Sequence, residues 1–275
     1  MILFIIMSNI KLKTDLTTIK NLRESSRRLA RVVKMIGENI RSGVSLASLD
    51  ALAFKLITES PEGKRDKDKP AFLNYKPSGA DYPYPASICI SVNDAVVHGI
   101  PNDYILKNGD IVTIDGGINH KGMISDHAIT FAVGKISKEN EDLLKVAKGA
   151  LMSGIKAAVA GNYVNDISKA IENYIKKEGE KLKINFGIIK ILSGHGVGYK
   201  VHEEPFVPNF DDGVRGPKLV PGMVLAIEPI INLGSEEVYL AEDGYTFKTI
   251  DGKNSAHFEH TILITKDKPE ILTVI

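Results

Sequence analysis

The spacing of apolar positions predicts helices in two separate parts of the chain. Between residues 17 and 40, apolar side chains recur every three or four positions with basic residues between them, which indicates an amphipathic helix. A Ser-Leu-Ala-Ser start then begins a second helix, and a similar helical pair follows later in the chain. We predict helices over residues 17–40, 45–58, 140–159 and 164–177.

Short runs rich in β-branched residues lie between and after these helices and predict strands. We predict them over residues 87–92, 111–115, 125–133, 224–228, 245–249 and 258–265. A polar turn at 119–122 would join the second strand to the third. The stretch 61–70 carries charges of both signs and is interpreted as a solvated loop, with contact to a phosphate surface as the alternative.

The order of elements is two helices followed by strands, and then the same order again. Helices segregated from mainly antiparallel strands indicate an α+β fold. We place an N-terminal extension at residues 1–13 and a single domain at 14–275, with halves of about 14–135 and 136–275.

A local repeat relates the two halves. Residues 106–115 align with residues 219–228, and each segment has a Gly turn, an apolar strand and a carboxylate six positions after the Gly (115 − 109 and 228 − 222). A His in a short motif precedes each segment, His98 in the first half and His202 in the second. We infer an internal two-fold repeat in which carboxylates converge from both halves.

Two carboxylates lie at strand positions of the first half. Asp115 closes an apolar strand, where a charge is costly to desolvate unless it is paired or bound to a metal. Taken alone, it is better explained as a cap of the following Gly-Gly turn. Asp126 lies on the return strand, so a hairpin would bring two mutually repelling carboxylates together unless a cation separates them. His127 should point to the opposite face, and we leave it out.

The second half offers three further candidate ligands. His195 stands between glycines, which let backbone or substrate approach closely, and the segment lacks the Lys-Ser/Thr ending of a phosphate loop. Glu228 ends an apolar strand, and Glu259 lies in another, where Phe258 and His260 should face the other way. A lone His or carboxylate is usually structural, but four carboxylates at comparable positions with this His are much stronger evidence.

These five residues predict a two-metal hydrolytic site: Asp115, Asp126, His195, Glu228 and Glu259. Four carboxylates and one imidazole exceed what a structural zinc needs. They suit two divalent ions of Co, Mn, Fe or Zn, roughly 3.5–4 Å apart. A water bridging such ions would be acidified towards a pKa of about 7, which makes hydrolysis the expected reaction.

Composition narrows the partners and the compartment. The 35 Lys and Arg residues nearly balance the 34 Asp and Glu residues, so no bulk charge favours nucleic acid or an anionic membrane. Cys89 is the single cysteine, which predicts a reducing compartment, and we expect the cytoplasm. The apolar start Met1 to Met7 is far shorter than the roughly 20 residues of a spanning helix, and translation could also begin at Met7.

Eight short motifs follow one another along the chain: 91–94, 98–101, 110–115, 125–126, 194–198, 202–205, 221–229 and 255–261. In this order they resemble the type I methionine aminopeptidases, over about residues 14–268. The resemblance implies the pita-bread fold, with helices packed on the outer face of a mainly antiparallel sheet. It also implies removal of the N-terminal methionine from nascent proteins by attack of a metal-bridging water or hydroxide on the first peptide bond.

The resemblance further implies how five ligands would share two cations. Asp115, Asp126 and Glu259 would hold one ion. Asp126, His195, Glu228 and Glu259 would hold the other, so Asp126 and Glu259 would bridge.

Roles for the surrounding residues also follow from the resemblance. His98 and His202 would contact the peptide and polarise its scissile carbonyl, and Glu228 would relay a proton to the leaving amine. The methionine pocket would be built from Tyr84, Cys89, Val201 and Tyr245. For Cys89, a purely structural role as a small buried residue is an equal alternative.

The implied partners are the N-terminal Met of nascent polypeptides and, in transient contact, the ribosome. We expect a monomer and no membrane or specific nucleic-acid partner. The segment between His202 and Glu228 is too short to contain the helical insertion that type II enzymes have at this place.

The chain departs from the family pattern at four places. Val201 replaces an aromatic residue, His127 follows Ser125-Asp126 where Gly-Asp-Thr is more usual, and His257 stands where Gln is common. Residues 75–84 form a longer segment than usual. Two alternatives stay open: a proline-specific aminopeptidase or dipeptidase of the same fold, and a non-catalytic binding relative. The second is disfavoured because all five ligands are kept.

Overall fold

A computed structural model describes residues 9–275 as an α+β fold, which confirms the predicted fold class. The prediction that translation begins at Met1 or Met7 lies outside these residues. The helices are α1 (Leu16–Asn39), α2 (Leu46–Thr58), α3 (Pro61–Asp66), α4 (Lys138–Ala157) and α5 (Val164–Leu182). The strands of the first half are β1 (Lys69–Pro70), β2 (Ile88–Val92), β3 (Ala95–Val97), β4 (Ile111–His120) and β5 (Met123–Ala132).

The strands of the second half are shorter. They are β6 (Gly187–Ile188), β7 (Ser193–Gly196), β8 (Glu203–Pro208), β9 (Val224–Ile227), β10 (Ile230–Asn232), β11 (Val238–Leu240), β12 (Phe247–Thr249), β13 (Ser255–His257), β14 (His260–Leu263) and β15 (Glu270–Ile271).

The four predicted helices are confirmed, and polar caps explain where three of them begin. The side chain of Asp15 accepts hydrogen bonds from the first backbone N–H groups of α1. Ser45 does the same for α2 and Ser137 for α4. The last helix, α5, runs five residues beyond the predicted end at Lys177 (182 − 177) and stops at Lys183, which adopts a left-handed conformation.

The prediction of a solvated loop over residues 61–70 is wrong. Its first six residues form α3, which Ser60 caps by accepting from the Gly63 N–H, and its last two form β1. Asp68 is only 4% exposed, and its Oδ2 lies 2.5 Å from Nη1 of Arg28 in α1. Asp66 and Asp68 therefore pair with a buried cation, which local composition could not reveal, whereas the basic residues of this stretch are exposed.

The first half is built on one antiparallel sheet. Its order is β1-β4-β2, and β5 pairs with β4 as the predicted hairpin. Strand β4 continues to His120, five residues beyond the predicted end (120 − 115). In the hairpin register Gly117 is opposite Asp126 and Asp115 is opposite Ala128.

The second half contains a five-stranded antiparallel sheet with the order β15-β14-β9-β7-β8. Two three-stranded sheets, β13-β10-β6 and β11-β12-β3, complete the described strands, and the latter combines strands of both halves. The repeat inferred from the sequence is visible in the backbone. Gly109 and Gly222, the glycines of the turns in the two matched segments, both adopt a positive φ, 101° and 94°.

Each helical pair covers the sheet of its own half. In the first half, Leu29 and Ile36 of α1 pack with Leu49 of α2 against strands β2 and β4. In the second half, Leu143 of α4 and Ile171 of α5 belong to the core that includes β9. This arrangement leaves the opposite side of the sheets free to form a site. No helix within residues 9–275 is long and apolar enough to cross a membrane.

The division at residue 14 stays a prediction. Lys13, which we assigned to the N-terminal extension, donates its backbone N–H to the carbonyl of Gly222 at 2.7 Å. Its side chain is also buried. Lys13 is therefore packed against the domain.

Candidate active site

One cavity of about 450 Å³ is lined by every residue that the sequence singled out for the site. They are Tyr84, Cys89, His98, Asp115, Asp126, His195, Val201, His202, Glu228, Tyr245 and Glu259. These residues come from both halves and from widely separated stretches of the chain. The fold therefore brings the predicted residues together, while the role of each stays a prediction.

Asp115 and Asp126 reach the cavity from the β4–β5 hairpin, and both are buried. The hydroxyl of Thr261, from β14, accepts from the Asp126 N–H at 2.9 Å and donates to the Asp126 carbonyl at 2.7 Å. Close by, the Glu259 N–H donates to the carbonyl of Ala128 at 2.9 Å. These contacts tie the two halves together directly beside the carboxylates, so the positions of the carboxylates are fixed by rigid strands.

His195 presents one ring nitrogen to the carboxylates. Its Nδ1–H donates to the carbonyl of Gly196 at 2.9 Å, which leaves the lone pair on Nε2. Nε2 lies 3.3 Å from Glu228 Oε1 and 4.0 Å from Asp126 Oδ2. Burial, reinforced by His202, lowers the pKa of His195 to about 3, so the ring is neutral at physiological pH. A neutral imidazole fixed in this tautomer is the form that binds a metal.

The glycines beside His195 are required by close backbone packing. A Cβ on Gly194 would lie 2.4 Å from the carbonyl oxygen of Ala226, and one on Gly196 would lie 2.4 Å from that of Glu204. The close approach expected from the sequence is therefore confirmed, and its partner here is backbone.

Glu228 and Glu259 reach the cavity from the second half. Glu228 directly follows β9, and Glu259 lies between β13 and β14. The expected orientation of the neighbouring residue His260 is confirmed, because its ring stacks on His127 with the centroids 4.8 Å apart. The Nδ1–H of His127 donates to the backbone carbonyl of Glu259, and the ring does not line the cavity.

The carboxylates of the site hold protons far more tightly than ordinary carboxylates. Burial raises the pKa of Asp115 to about 7. Burial and the charges of neighbouring carboxylates raise the pKa of Asp126, Glu228 and Glu259 well above the usual range. Such a cluster is stable in its charged form only when positive charge lies among the oxygens.

The donor atoms fit a divalent cation. Oxygens of Asp115, Asp126 and Glu259 are buried without a hydrogen-bond partner among residues 9–275. One ligand atom each from Asp126, His195 and Glu259 lies within 4.8 Å of the others. Carboxylate oxygens with one imidazole suit divalent transition metals. The buried cluster therefore indicates divalent metal binding.

His98 and His202 lie at the edge of the ligand cluster. The ring of His202 stands 4.5 Å from that of His195 at an interplanar angle of 78°, and its Nδ1 shares a hydrogen bond of 2.9 Å with the hydroxyl of Tyr75. His98 has a positive φ of 57° and packs against the ring of Phe247. Burial lowers the pKa of His98 to about 4.

The four pocket residues belong to one buried apolar cluster. Tyr84 is anchored because its hydroxyl donates to the Gly99 carbonyl at 2.8 Å, and its ring meets that of Tyr245 edge to face at 5.1 Å. Burial raises the pKa of the Cys89 thiol well above its usual range, so it stays protonated. Val201 completes this apolar side of the cavity.

Two residues of the site were missed at the level of sequence. The first is His257, which lines the cavity. Side chains alternate between the two faces of a strand, so the same rule that predicts Phe258 and His260 to face away from Glu259 predicts His257 to share the face of Glu259. Tyr75, the partner of His202, lies 127 residues away in the chain and gave no local signal.

Comparison with known proteins agrees with this site. The sequence profile of metallopeptidase family M24 matches residues 20–266. A methionine aminopeptidase from Aquifex aeolicus is 46% identical over 258 residues, 93% of this chain and 95% of that protein. The chain belongs to metallopeptidase family M24 and, within it, to the methionine aminopeptidases. The resemblance drawn from the eight motifs is thereby confirmed, and the protein is a hydrolase of the metallopeptidase class.

Further relatives agree with this assignment. A methionine aminopeptidase from Clostridium perfringens is 42% identical over 92% of this chain and 95% of that protein. The crystal structure of methionine aminopeptidase from Rickettsia prowazekii superposes with a TM-score of 0.87 at 35% identity, covering 96% of this chain and all of that one. The predicted pita-bread fold is confirmed.

Proline-specific relatives share the fold alone. The prolidase from Pyrococcus furiosus superposes with a TM-score of 0.71 at 23% identity, and the matched region is 67% of that chain. The comparisons therefore favour the methionine aminopeptidases over the proline-specific alternative.

Proposed function

We propose that this chain is a metal-dependent aminopeptidase of type I that removes the N-terminal methionine from nascent proteins. The observation that carries the proposal is the single cavity that joins four carboxylates and His195 to a buried apolar wall. A charged cluster beside an apolar wall suits a substrate with a peptide bond on one side and an uncharged side chain on the other.

Two divalent cations, drawn from Co, Mn, Fe and Zn, would be held by the five predicted ligands. Asp115, Asp126 and Glu259 would bind one ion, and Asp126, His195, Glu228 and Glu259 would bind the other. When bound, the cations would supply Lewis-acid activation of water near neutral pH. The unpartnered oxygens of Asp115, Asp126 and Glu259 support this assignment.

His98 and His202 would bind the peptide carbonyl and polarise it. His202 is held through Nδ1 by the Tyr75 hydroxyl, so its Nε2 is left for the substrate. His98 is neutral at pH 7, because burial lowers its pKa to about 4, and it can therefore donate a neutral hydrogen bond. Glu228 would pass a proton to the leaving amine, since it lines the cavity beside the ligand cluster.

The methionine side chain would lie against Tyr84, Cys89, Val201 and Tyr245. All four are buried in the apolar cluster that lines the cavity, and a protonated Cys89 offers a small apolar contact. We further propose a cytoplasmic monomer in transient contact with the ribosome, because the substrate is a chain that is still being made.

The proposal is tested by stripping the metal, restoring Mn, Co, Fe or Zn one at a time, and assaying a Met-Gly tripeptide against an X-Pro peptide. We expect metal-dependent release of Met that is lost in His195→Ala. His260→Ala is a matched control, because its ring faces away from the cavity and stacks on His127. Full activity in His195→Ala, or faster release from the X-Pro peptide, would refute the proposal.

A further inference from the structure

His257 is a buried imidazole whose two ring nitrogens have no hydrogen-bond partner among residues 9–275. It is 2% exposed and lines the cavity that contains the five predicted ligands. Leaving a buried polar group unpaired destabilises a folded protein. Buried polar groups nearly always have a partner, so we expect the imidazole of His257 to bind a group other than residues 9–275.

The backbone of His257 is fixed by both halves of the fold. Its N–H donates to Thr130 Oγ1 at 2.9 Å, and the same hydroxyl donates to its carbonyl at 2.8 Å. In the second half, His257 pairs with Ile230 across β13 and β10. The ring is thus held by strands rather than by a loop.

The distances around the ring match those between two ligands of one ion. Nε2 of His257 lies 3.6 Å from Glu228 Oε2 and 3.8 Å from Glu259 Oε2, too far for hydrogen bonds. Donors that each lie about 2.1 Å from a common cation are about 3.4–4.2 Å apart, from the tetrahedral angle to opposite positions. His195 Nε2 shows similar separations, 3.3 Å from Glu228 Oε1 and 4.0 Å from Asp126 Oδ2.

Glu228 therefore lies between two imidazoles. Its Oε1 faces His195, and its Oε2 faces His257. We propose that His257 is a metal ligand, which supplies a second imidazole to the cation proposed to lie among His195, Glu228 and Glu259. The proposal rests on the proposed function in that it takes this cluster to bind divalent cations.

A second imidazole changes the character of the metal site. Nitrogen donors favour Zn and Co over Mn and Mg, which prefer oxygen ligands. In the methionine aminopeptidases a Gln is common at the position of His257. A second nitrogen ligand would therefore distinguish this chain from relatives that have Gln there. We expect its relative affinity for Zn over Mn to fall when the imidazole is replaced.

The direct test counts imidazole nitrogens around a paramagnetic probe. One equivalent of Cu²⁺ is added to the metal-stripped protein, because copper favours imidazole, and pulsed EPR measures the coordinated rings. We expect at least two rings in the wild type and one fewer in His257→Gln. In the matched control His260→Gln the count should not change, because that ring bonds Thr273 and stacks on His127 on the other side of the strand.

Zinc affinity provides a second readout. We expect His257→Gln to weaken Zn²⁺ binding by at least about tenfold, with His260→Gln close to wild type. An unchanged ring count and an unchanged affinity in His257→Gln would overturn the proposal, since Gln can replace a residue that only hydrogen-bonds Glu228. A single ring in the wild type would overturn it without any variant, including the case in which His257→Gln does not fold.

Failure of this proposal can be told apart from failure of the proposed function. A wild type that releases Met normally but shows one coordinated ring refutes the ligand role of His257 alone. A wild type with two coordinated rings that does not release Met refutes the aminopeptidase function and leaves the ligand role intact.

Discussion

Nζ of Lys13 lies 2.5 Å from Oε2 of Glu203, and only 2% and 5% of the two side chains are exposed. The other oxygen of Glu203 accepts from the backbone N–H groups of Tyr199 and Lys200, at 2.6 and 2.9 Å. Glu203 directly follows His202. This buried ion pair therefore ties the N-terminal segment to the loop that carries a proposed substrate-binding histidine.

We expect Lys13→Met to destabilise the protein by about 3–5 kcal/mol, because the carboxylate of Glu203 would stay buried without its partner. Urea unfolding measures this loss, and the KM for a Met-initiated peptide should rise as the His202 loop loosens. Lys11→Met is the matched control, since Lys11 is exposed and should change stability by less than about 0.5 kcal/mol. Equal unfolding free energies for the two variants would show that the pair contributes nothing.

Arg28 is a second buried cation. Replacing it tests how residues 61–70, which the sequence predicted as a loop, are held against α1. Its guanidinium lies 2.5 Å from Asp68 and 2.6 Å from Asp66, with 7% of the side chain exposed. We expect Arg28→Met to cost about 3–5 kcal/mol, because it removes the cationic partner of the buried Asp68 and leaves that carboxylate bonded only to His120 Nδ1, at 2.7 Å. Arg27, 40% exposed and paired with Glu24, is the neighbouring control, and Arg27→Met should cost at most about 1 kcal/mol in the same urea titration.

The sequence predicted the features that depend on local chemistry. Asp115 and Glu228 were found because each follows an apolar run that begins after a Gly turn, and Asp126 because a hairpin returns it to Asp115. The contacts that join distant segments were not predictable in this way. Arg28 meets Asp68 from 40 residues away, and no periodicity encodes which charge will be buried.

The metal cluster makes stability depend on cations. Removing metal leaves four buried carboxylates with raised pKa values, so cations that bind only the folded state should raise the melting temperature. At a free concentration about a hundred times Kd, the gain is about 2.7 kcal/mol. Differential scanning fluorimetry with Zn²⁺ or Mn²⁺ measures it. In Asp126→Asn the shift should be much smaller, and an equal shift would place the bound metal elsewhere.

Cys89 should resist thiol reagents in the native protein. It is 4% exposed, and burial raises its pKa well above the usual range, so little of the reactive thiolate forms at pH 8. We expect one thiol to react with Ellman's reagent at once in denaturant and at least about a hundredfold more slowly in buffer. Rapid labelling without denaturant would contradict the buried position of this thiol.

Val201 is the pocket residue that departs most clearly from the pattern of the methionine aminopeptidases. Replacing it tests whether the apolar cluster binds the methionine side chain. Val201→Ala removes two methyl groups from the cavity wall, so we expect kcat/KM for a Met-initiated peptide to fall by roughly tenfold, consistent with about 1–1.5 kcal/mol of lost contact. Val146→Ala is the matched control, because Val146 is also buried but projects from α4 into the core of the second half, away from the cavity. Both variants should lose similar stability in urea, whereas only Val201→Ala should lose catalytic efficiency. Equal kcat/KM for the two variants would mean that methionine binds elsewhere.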